Sequence, residues 1–206
     1  MKPKHLWIGL WAILWGQTQL VAEGGIGLIQ RIPVAKKAPW SDVLQARGGP
    51  KRVPGPLAYG GISLRHMYHP KRFAEIGLFV RGLALREAGR QERFFYGMGS
   101  VRLGWKIDTT ERPLWVWGGI AASLLLSAQS RPAEASIYRF ADYFGRSQLH
   151  LQAGIEKTLR PHWQVGLQIL WDLTPAWDRV LFQASRTLAH HLSLSPYLRY
   201  QLWAFK

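Results

Sequence analysis

The chain has 206 residues, enough for one domain with a full core, and carries a formal charge of +15 with 27 Lys and Arg against 12 Asp and Glu. It has no cysteine, which excludes a disulfide scaffold, a thiolate metal site and a lipidated N-terminal cysteine. The cations are scattered along alternating segments with no run of 5–8 Lys or Arg, so the charge speaks for an anionic lipid surface or a polar barrel interior rather than nucleic acid.

Lys2 and Lys4 precede an apolar run from Leu6 to Trp15, with small or polar residues up to Ala22. A basic start and a short apolar stretch fit a secretory signal. The run falls short of the ~20 residues a spanning helix needs. Residues 1–22 are therefore read as a leader and 23–206 as the mature domain. Cleavage after Gly16 is the alternative.

Alternation begins at Gly25 and runs to Val34, with Ile26, Leu28, Ile32 and Val34 opposite Gly25, Gly27, Ile29 and Arg31. Residues 35–56 read as a loop with four prolines. Leu57 to Tyr68 sets Ala58, Ile62 and Leu64 against Tyr59, Ser63 and Arg65, and His69-Pro70-Lys71-Arg72 turns the chain. Phe73 to Arg86 sets Ile76, Leu78 and Val80 against Glu75, Phe79 and Arg81. After a short connection, Arg93 to Ile107 sets Val101, Leu103 and Trp105 against Arg102 and Lys106. Residues 108–113 form the next turn, and Leu114 to Ser127 is the most apolar stretch after the leader.

Residues 129–147 form a second long connection. Beyond it lie the two clearest runs. Leu149, Leu151, Ala153 and Ile155 oppose His150, Gln152 and Glu156; after Arg160-Pro161, Trp163, Val165, Leu167, Ile169 and Trp171 oppose Gln164, Gln168 and Asp172. A period of two means a strand with one apolar and one polar face. Each run is about 10–12 residues, against about 5–6 for a soluble strand, and matches the length of a tilted strand crossing a bilayer. The pattern breaks at 174–178, is weak over Val180 to Ala189, and resumes from Leu192 to Phe205 with Arg199 on the polar face.

These features predict an all-β, antiparallel, up-and-down transmembrane β-barrel. Trp105, Trp163, Trp171 and Trp177 stand at run ends, where aromatic girdles belong. Trp115 and Trp117 are read as girdle too. Short turns near 69–72, 108–113 and 160–161 alternate with the long connections 35–56 and 129–147, as periplasmic turns alternate with external loops. Arg65, Glu75, Arg81, Arg102, Lys106, Glu156, Asp172 and Arg199 are assigned to the lumen. Eight strands is the simplest count, with residues 174–191 as a last external loop extended as a hairpin ribbon; ten is the alternative.

The motifs Phe94-Phe95-Tyr96, Leu114-Trp115-Val116-Trp117-Gly118-Gly119, Leu151-Gln152-Ala153-Gly154-Ile155-Glu156 and Asp172-Leu173-Thr174, in that order, resemble the small outer-membrane barrel domain common in Bacteroidetes, the PorT-like group. The likeness covers roughly residues 24–205 and departs at 178–191 and in ending with Lys206 after Phe205. It implies an eight-stranded barrel and supplies no catalytic residue.

His191-Leu192-Ser193 has the His-x-Ser spacing of outer-membrane lipid A deacylases, with Glu156 as a candidate carboxylate, but Leu194 stands where an Asn belongs. His150 and His162 are assigned to the polar face without a third metal ligand. The expectation is a monomeric outer-membrane protein of a Gram-negative bacterium with a structural or interaction role and a side-chain-filled lumen. It uses no cofactor and no metal and binds no nucleic acid. Its surroundings are outer-membrane lipid, lipopolysaccharide included, and its loops 35–56 and 129–147 are contact surfaces for envelope proteins. A lipid-modifying enzyme and a soluble periplasmic basic β protein are the alternatives.

Overall fold

The computed structural model describes residues 17–34, 54–87, 90–108, 110–131, 138–139, 147–174, 176–179 and 186–205. The strands are β1 (Gln17–Val34), β2 (Gly55–His69), β3 (Arg72–Glu87), β4 (Arg90–Lys106), β5 (Leu114–Arg131), β6 (Tyr138–Arg139), β7 (Ser147–Arg160), β8 (Trp163–Asp172), β9 (Ala176–Arg179) and β10 (Arg186–Phe205). Eight of them pair antiparallel in the order β1-β2-β3-β4-β5-β7-β8-β10, and β10 pairs back onto β1 from Thr18↔Phe205 to Val34↔Leu188. The ring is closed, so every long strand has two neighbours and no sheet edge is left for lipid to meet.

The ten-strand alternative is thereby resolved. β6 and β9 have only two and four residues. They pair onto the upper ends of β5 and β10 without entering the ring. The β9–β10 pairing joins Ala176–Arg179 to 186–189, a ribbon standing on the barrel wall.

The first strand begins at Gln17, not at Gly25. Residues 17–22, read above as the tail of a leader, are barrel wall. They pair with β2 from Gln17↔Met67 to Ala22↔Ile62 and, across a register shift at Leu20/Val21, with the end of β10. A cut after Ala22 would strip these six of the strand's 18 residues; a cut at Gly16–Gln17 keeps it whole. Residues 1–16 lie outside the described residues.

The alternation decides which face is inside. Ile26, Leu78, Val80, Leu124, Leu151 and Ile169 are 46–72 % exposed on the outer wall. Arg65, Glu75, Arg102, Gln152, Glu156, Asp172 and Arg199 are at most 2 % exposed within. A water-soluble sandwich would carry the reverse distribution, and an apolar exterior continuous around a closed ring exceeds any patch a soluble monomer exposes. The outer wall is a lipid-facing surface. No helix among the described residues is long and apolar enough to cross a membrane; the crossing is made by strands.

Trp105, Trp163 and Trp171 are on the outer wall at 44 %, 39 % and 51 % exposure. Trp163 packs on Tyr200 with ring centroids 4.7 Å apart. Trp177 lies in β9, and its side chain is outside what is described.

Trp115 and Trp117 are not girdle residues: both point into the lumen and are at most 6 % exposed. The reason lies in facing glycines. A Cβ on Gly154 would stand 2.5 Å from the Trp117 ring, and one on Gly104 would stand 2.1 Å from Phe73. Without a side chain at those inward positions, Trp117 lies flat across β7 and Phe73 across β4, with Trp115 packed 5.5 Å from Phe73.

Most of 35–56 and 129–147, the expected contact loops, lies outside the described residues. Their margins are strand: residues 55–56 in β2, 129–131 in β5, 138–139 in β6 and 147 in β7. At the opposite end the β4–β5 turn is tied locally. The Leu114 N–H donates to Asp108 at 2.8 Å and the Thr110 hydroxyl donates to it at 3.1 Å. These bonds, the Leu114 N–H foremost, hold the Asp108 carboxyl below its usual range.

Candidate functional site

The lumen is the chemically distinctive part of the molecule. Among the described residues, four buried guanidinium groups (Arg65, Arg81, Arg102 and Arg199) face four buried carboxylates (Glu23, Glu75, Glu156 and Asp172). Their charges balance, so the net +15 is carried by other residues of the chain.

Six of these groups form one network across the barrel. Arg65 bridges Glu75 at 2.8 Å and Glu156 at 2.5 Å. Arg102 bridges Glu23 at 2.6 Å and Glu75 at 3.2 Å. Arg199 reaches all three carboxylates: Glu23, Glu75 at 3.0 Å and Glu156 at 2.9 Å. These side chains come from β1, β2, β3, β4, β7 and β10, so the ion pairs tie opposite walls together. Aromatic faces complete the packing. The Arg65 guanidinium lies 3.8 Å from the Phe73 ring centroid, and that of Arg102 lies 4.5 Å from Trp117 and 4.9 Å from Phe79. Trp117 Nε1–H donates to the Tyr197 hydroxyl at 2.9 Å, and that hydroxyl donates to Glu156 at 3.1 Å. Every carboxylate has charged donors, the condition for a buried charge to be tolerated.

Toward the long-loop end stands a second group. Asp172, the last residue of β8, accepts from His150 Nδ1 and from His191 Nδ1, each at 2.7 Å. The other ring nitrogen of His150 is 2.7 Å from the Ser123 hydroxyl. Asp172 also accepts the His191 backbone N–H at 3.2 Å. Along the wall from β1 to β5, Ile29, Leu57, Leu83, Phe94, Tyr96 and Leu125 form a buried apolar cluster.

The sequence-level assignments distribute over these groups. Arg65, Glu75, Arg102, Glu156 and Arg199 meet in the network. Arg81 and Asp172 belong to the upper group, where Arg81 donates to the Ser193 hydroxyl at 3.2 Å. Lys106 ends β4 at the short-turn rim and is only half-buried. Glu23 was missed because it was read as the first residue after a leader.

The His191–Ser193 pairing does not form. His191 Nε2 has no hydrogen-bond partner among the described residues, and Ser193 Oγ is engaged by Arg81 and by Leu170 O, to which it donates at 3.4 Å. Glu156 is not their carboxylate either; Asp172 takes that place, because Glu156 is bound to Arg65 and Arg199. His162 is exposed in the β7–β8 turn rather than on the lumen face. No group of metal ligands occurs among the described residues.

Ser123, His150 and Asp172 stand in the order of a nucleophile, a base and its orienting carboxylate. Ser123 and His150 are 4 % and 0 % exposed, so no acyl group reaches the hydroxyl in this structure. Such a chain of hydrogen bonds satisfies buried polar groups and pins β5, β7, β8 and β10 together.

A closed eight-strand ring, an apolar exterior and a packed polar lumen are now in view. The fold is that of a small outer-membrane β-barrel. Neisserial surface protein A superposes with a TM-score of 0.56 at 10 % identity, covering 91 % of this chain and 99 % of its own. Ail, the attachment invasion locus protein of Yersinia pestis, covers 90 % and 99 % at 10 % identity, and OprG of Pseudomonas aeruginosa 91 % and 96 % at 12 %. Both superpose at TM-scores of 0.43, too loosely to add to the argument. No family model and no curated protein matches the chain.

Proposed function

We propose that this protein is a monomeric outer-membrane barrel of a Gram-negative envelope that acts as a sealed scaffold. It holds its external ends at the cell surface for structural or interaction roles and neither conducts solutes nor turns over lipid. The observation that carries this is the Arg–Glu network. Three arginines and three glutamates from six strands cross-link the lumen in its short-turn half, with side chains at most 2 % exposed. An eight-stranded barrel has room for such side chains and little else.

Closure of β10 on β1 consumes both strand edges, which favours a monomer. Partners, envelope proteins or lipopolysaccharide, would meet the chain through 35–56 and 129–147. The narrower kinship with the PorT-like group rests on the loose glycine-based motifs alone and adds no activity.

Reconstitution into a planar lipid bilayer tests the sealed lumen. The expected record is flat, without discrete conductance steps at neutral pH. Stable stepwise openings from folded, purified protein would overturn the reading.

A further inference from the structure

The short-turn end of β7 is a place where the register breaks and the break has a chemical consequence. β7 slips register against β8 between Thr158 and Arg160. Lys157 and Leu159 keep the outward parity of the strand, and Arg160, past the slip, is exposed beside them at the short-turn end. Bulges re-aim side chains in this way. Here the bulge sets Arg160 beside Leu159 at the edge of an apolar hollow. A hollow of about 250 Å³ is lined by Leu159, Leu198, Trp163 and Arg160. A second hollow of about 750 Å³ adjoins it at Leu159 and is lined by Lys157 and Arg112 together with Asp108 and Glu111.

We propose that these two hollows form a binding site for an anionic glycerophospholipid of the periplasmic leaflet. One acyl chain lies along Leu159, Leu198 and the Trp163 ring, and the phosphate sits between Arg160 and Lys157. The proposal rests on the membrane-barrel reading above, which puts the short turns on the periplasmic side.

Charge complementarity selects the ligand. The exposed residues of this rim include Lys71, Arg72, Arg112, Lys157 and Arg160 against the single exposed carboxylate Glu111. Asp108, half-buried, already accepts the Leu114 N–H and the Thr110 hydroxyl. A zwitterionic headgroup would bring a quaternary ammonium toward these cations, whereas an anionic one brings only a phosphate and neutral hydroxyls. Arginine presents paired donors to phosphate oxygens, and lysine adds a point charge on a stem that follows the apolar wall. The Trp163–Tyr200 pair gives the groove a rigid aromatic wall at the depth where such rings anchor to the interface.

Native mass spectrometry of the folded protein tests this, using micelles doped with equal phosphatidylglycerol and phosphatidylcholine of the same chains. Retention of phosphatidylglycerol should exceed that of phosphatidylcholine on the order of tenfold. Lys157→Gln with Arg160→Gln should bring the ratio close to one. Lys71→Gln with Arg72→Gln, an equal charge change at the β2–β3 turn, should leave most of it. Equal retention of both lipids by the unaltered protein would overturn the site, as would equal loss in both double variants. Heat-modifiable gel migration of the same samples separates the two claims: a missing band shift contradicts the barrel itself, while a shifted band without lipid preference contradicts only the site.

Discussion

Arg102→Ala is expected to destabilise the folded barrel by about 3–5 kcal/mol, the usual cost of removing one partner from a buried ion network. Arg102 is fully buried and bridges Glu23 and Glu75. Its loss leaves three carboxylates to two arginines in the network. It also removes the stacking on Trp117 and Phe79 and opens space where the guanidinium lay. Pairing Arg102→Met with Glu23→Gln restores the charge balance and fills most of the volume, so the double variant should recover a large part of the loss. Urea unfolding in lipid vesicles, followed by tryptophan fluorescence, measures both. A cost below about 1 kcal/mol for Arg102→Ala would mean that the network is not the lumen's main tie.

The second large effect is on the outer wall and depends on depth. β8 runs from Trp163 to Asp172, with outward Trp163 and Trp171 near its two ends and Val165, Leu167 and Ile169 exposed between them. Leu167 sits midway between the two tryptophans. Leu167→Arg should cost about 2–4 kcal/mol, the value for an arginine at the bilayer midplane. Leu173→Arg, just past the upper tryptophan, should cost no more than about 1 kcal/mol. The same unfolding assay compares them. Equal costs would contradict the placement of the hydrocarbon core between Trp163 and Trp171.

Much of the fold was legible because the pleat writes itself into the sequence. Any residue two along from Leu151 faces the same way, so parity alone separates Leu151, Ala153 and Ile155 from Gln152 and Glu156. The count of eight followed from the even number of strands such barrels use, applied to nine strand-like runs. What was hidden depended on partners across strands. Trp115 and Trp117 carry no mark of their inward direction beyond parity, and the glycines that admit the Trp117 and Phe73 rings sit on other strands. Asp172 was assigned inward, but its bonds to His150 and His191 depend on the register of β7, β8 and β10 together. The cutting of the leader at 22 concealed Glu23. Two signals could have found it. It shares the parity of Gly25, Gly27 and Ile29, so the alternation extends back through it. The lumen assignment also held more cations than carboxylates, an imbalance that a buried site cannot sustain and that Glu23 reduces.

The most direct test of the central account, an apolar wall toward lipid and a sealed charged lumen, is a single-cysteine scan along β8. The chain has no cysteine of its own, so each substitution is the only thiol. Val165→Cys, Leu167→Cys and Ile169→Cys, labelled with a fluorophore and folded into vesicles, should be quenched by a lipid-borne quencher. Gln164→Cys and Gln168→Cys should resist both that quencher and a water-soluble thiol reagent in the folded protein. The account is contradicted if the water-soluble reagent reaches the even-numbered positions along the whole strand, which would mean an open pore, or the odd-numbered ones, which would mean that no lipid covers the wall.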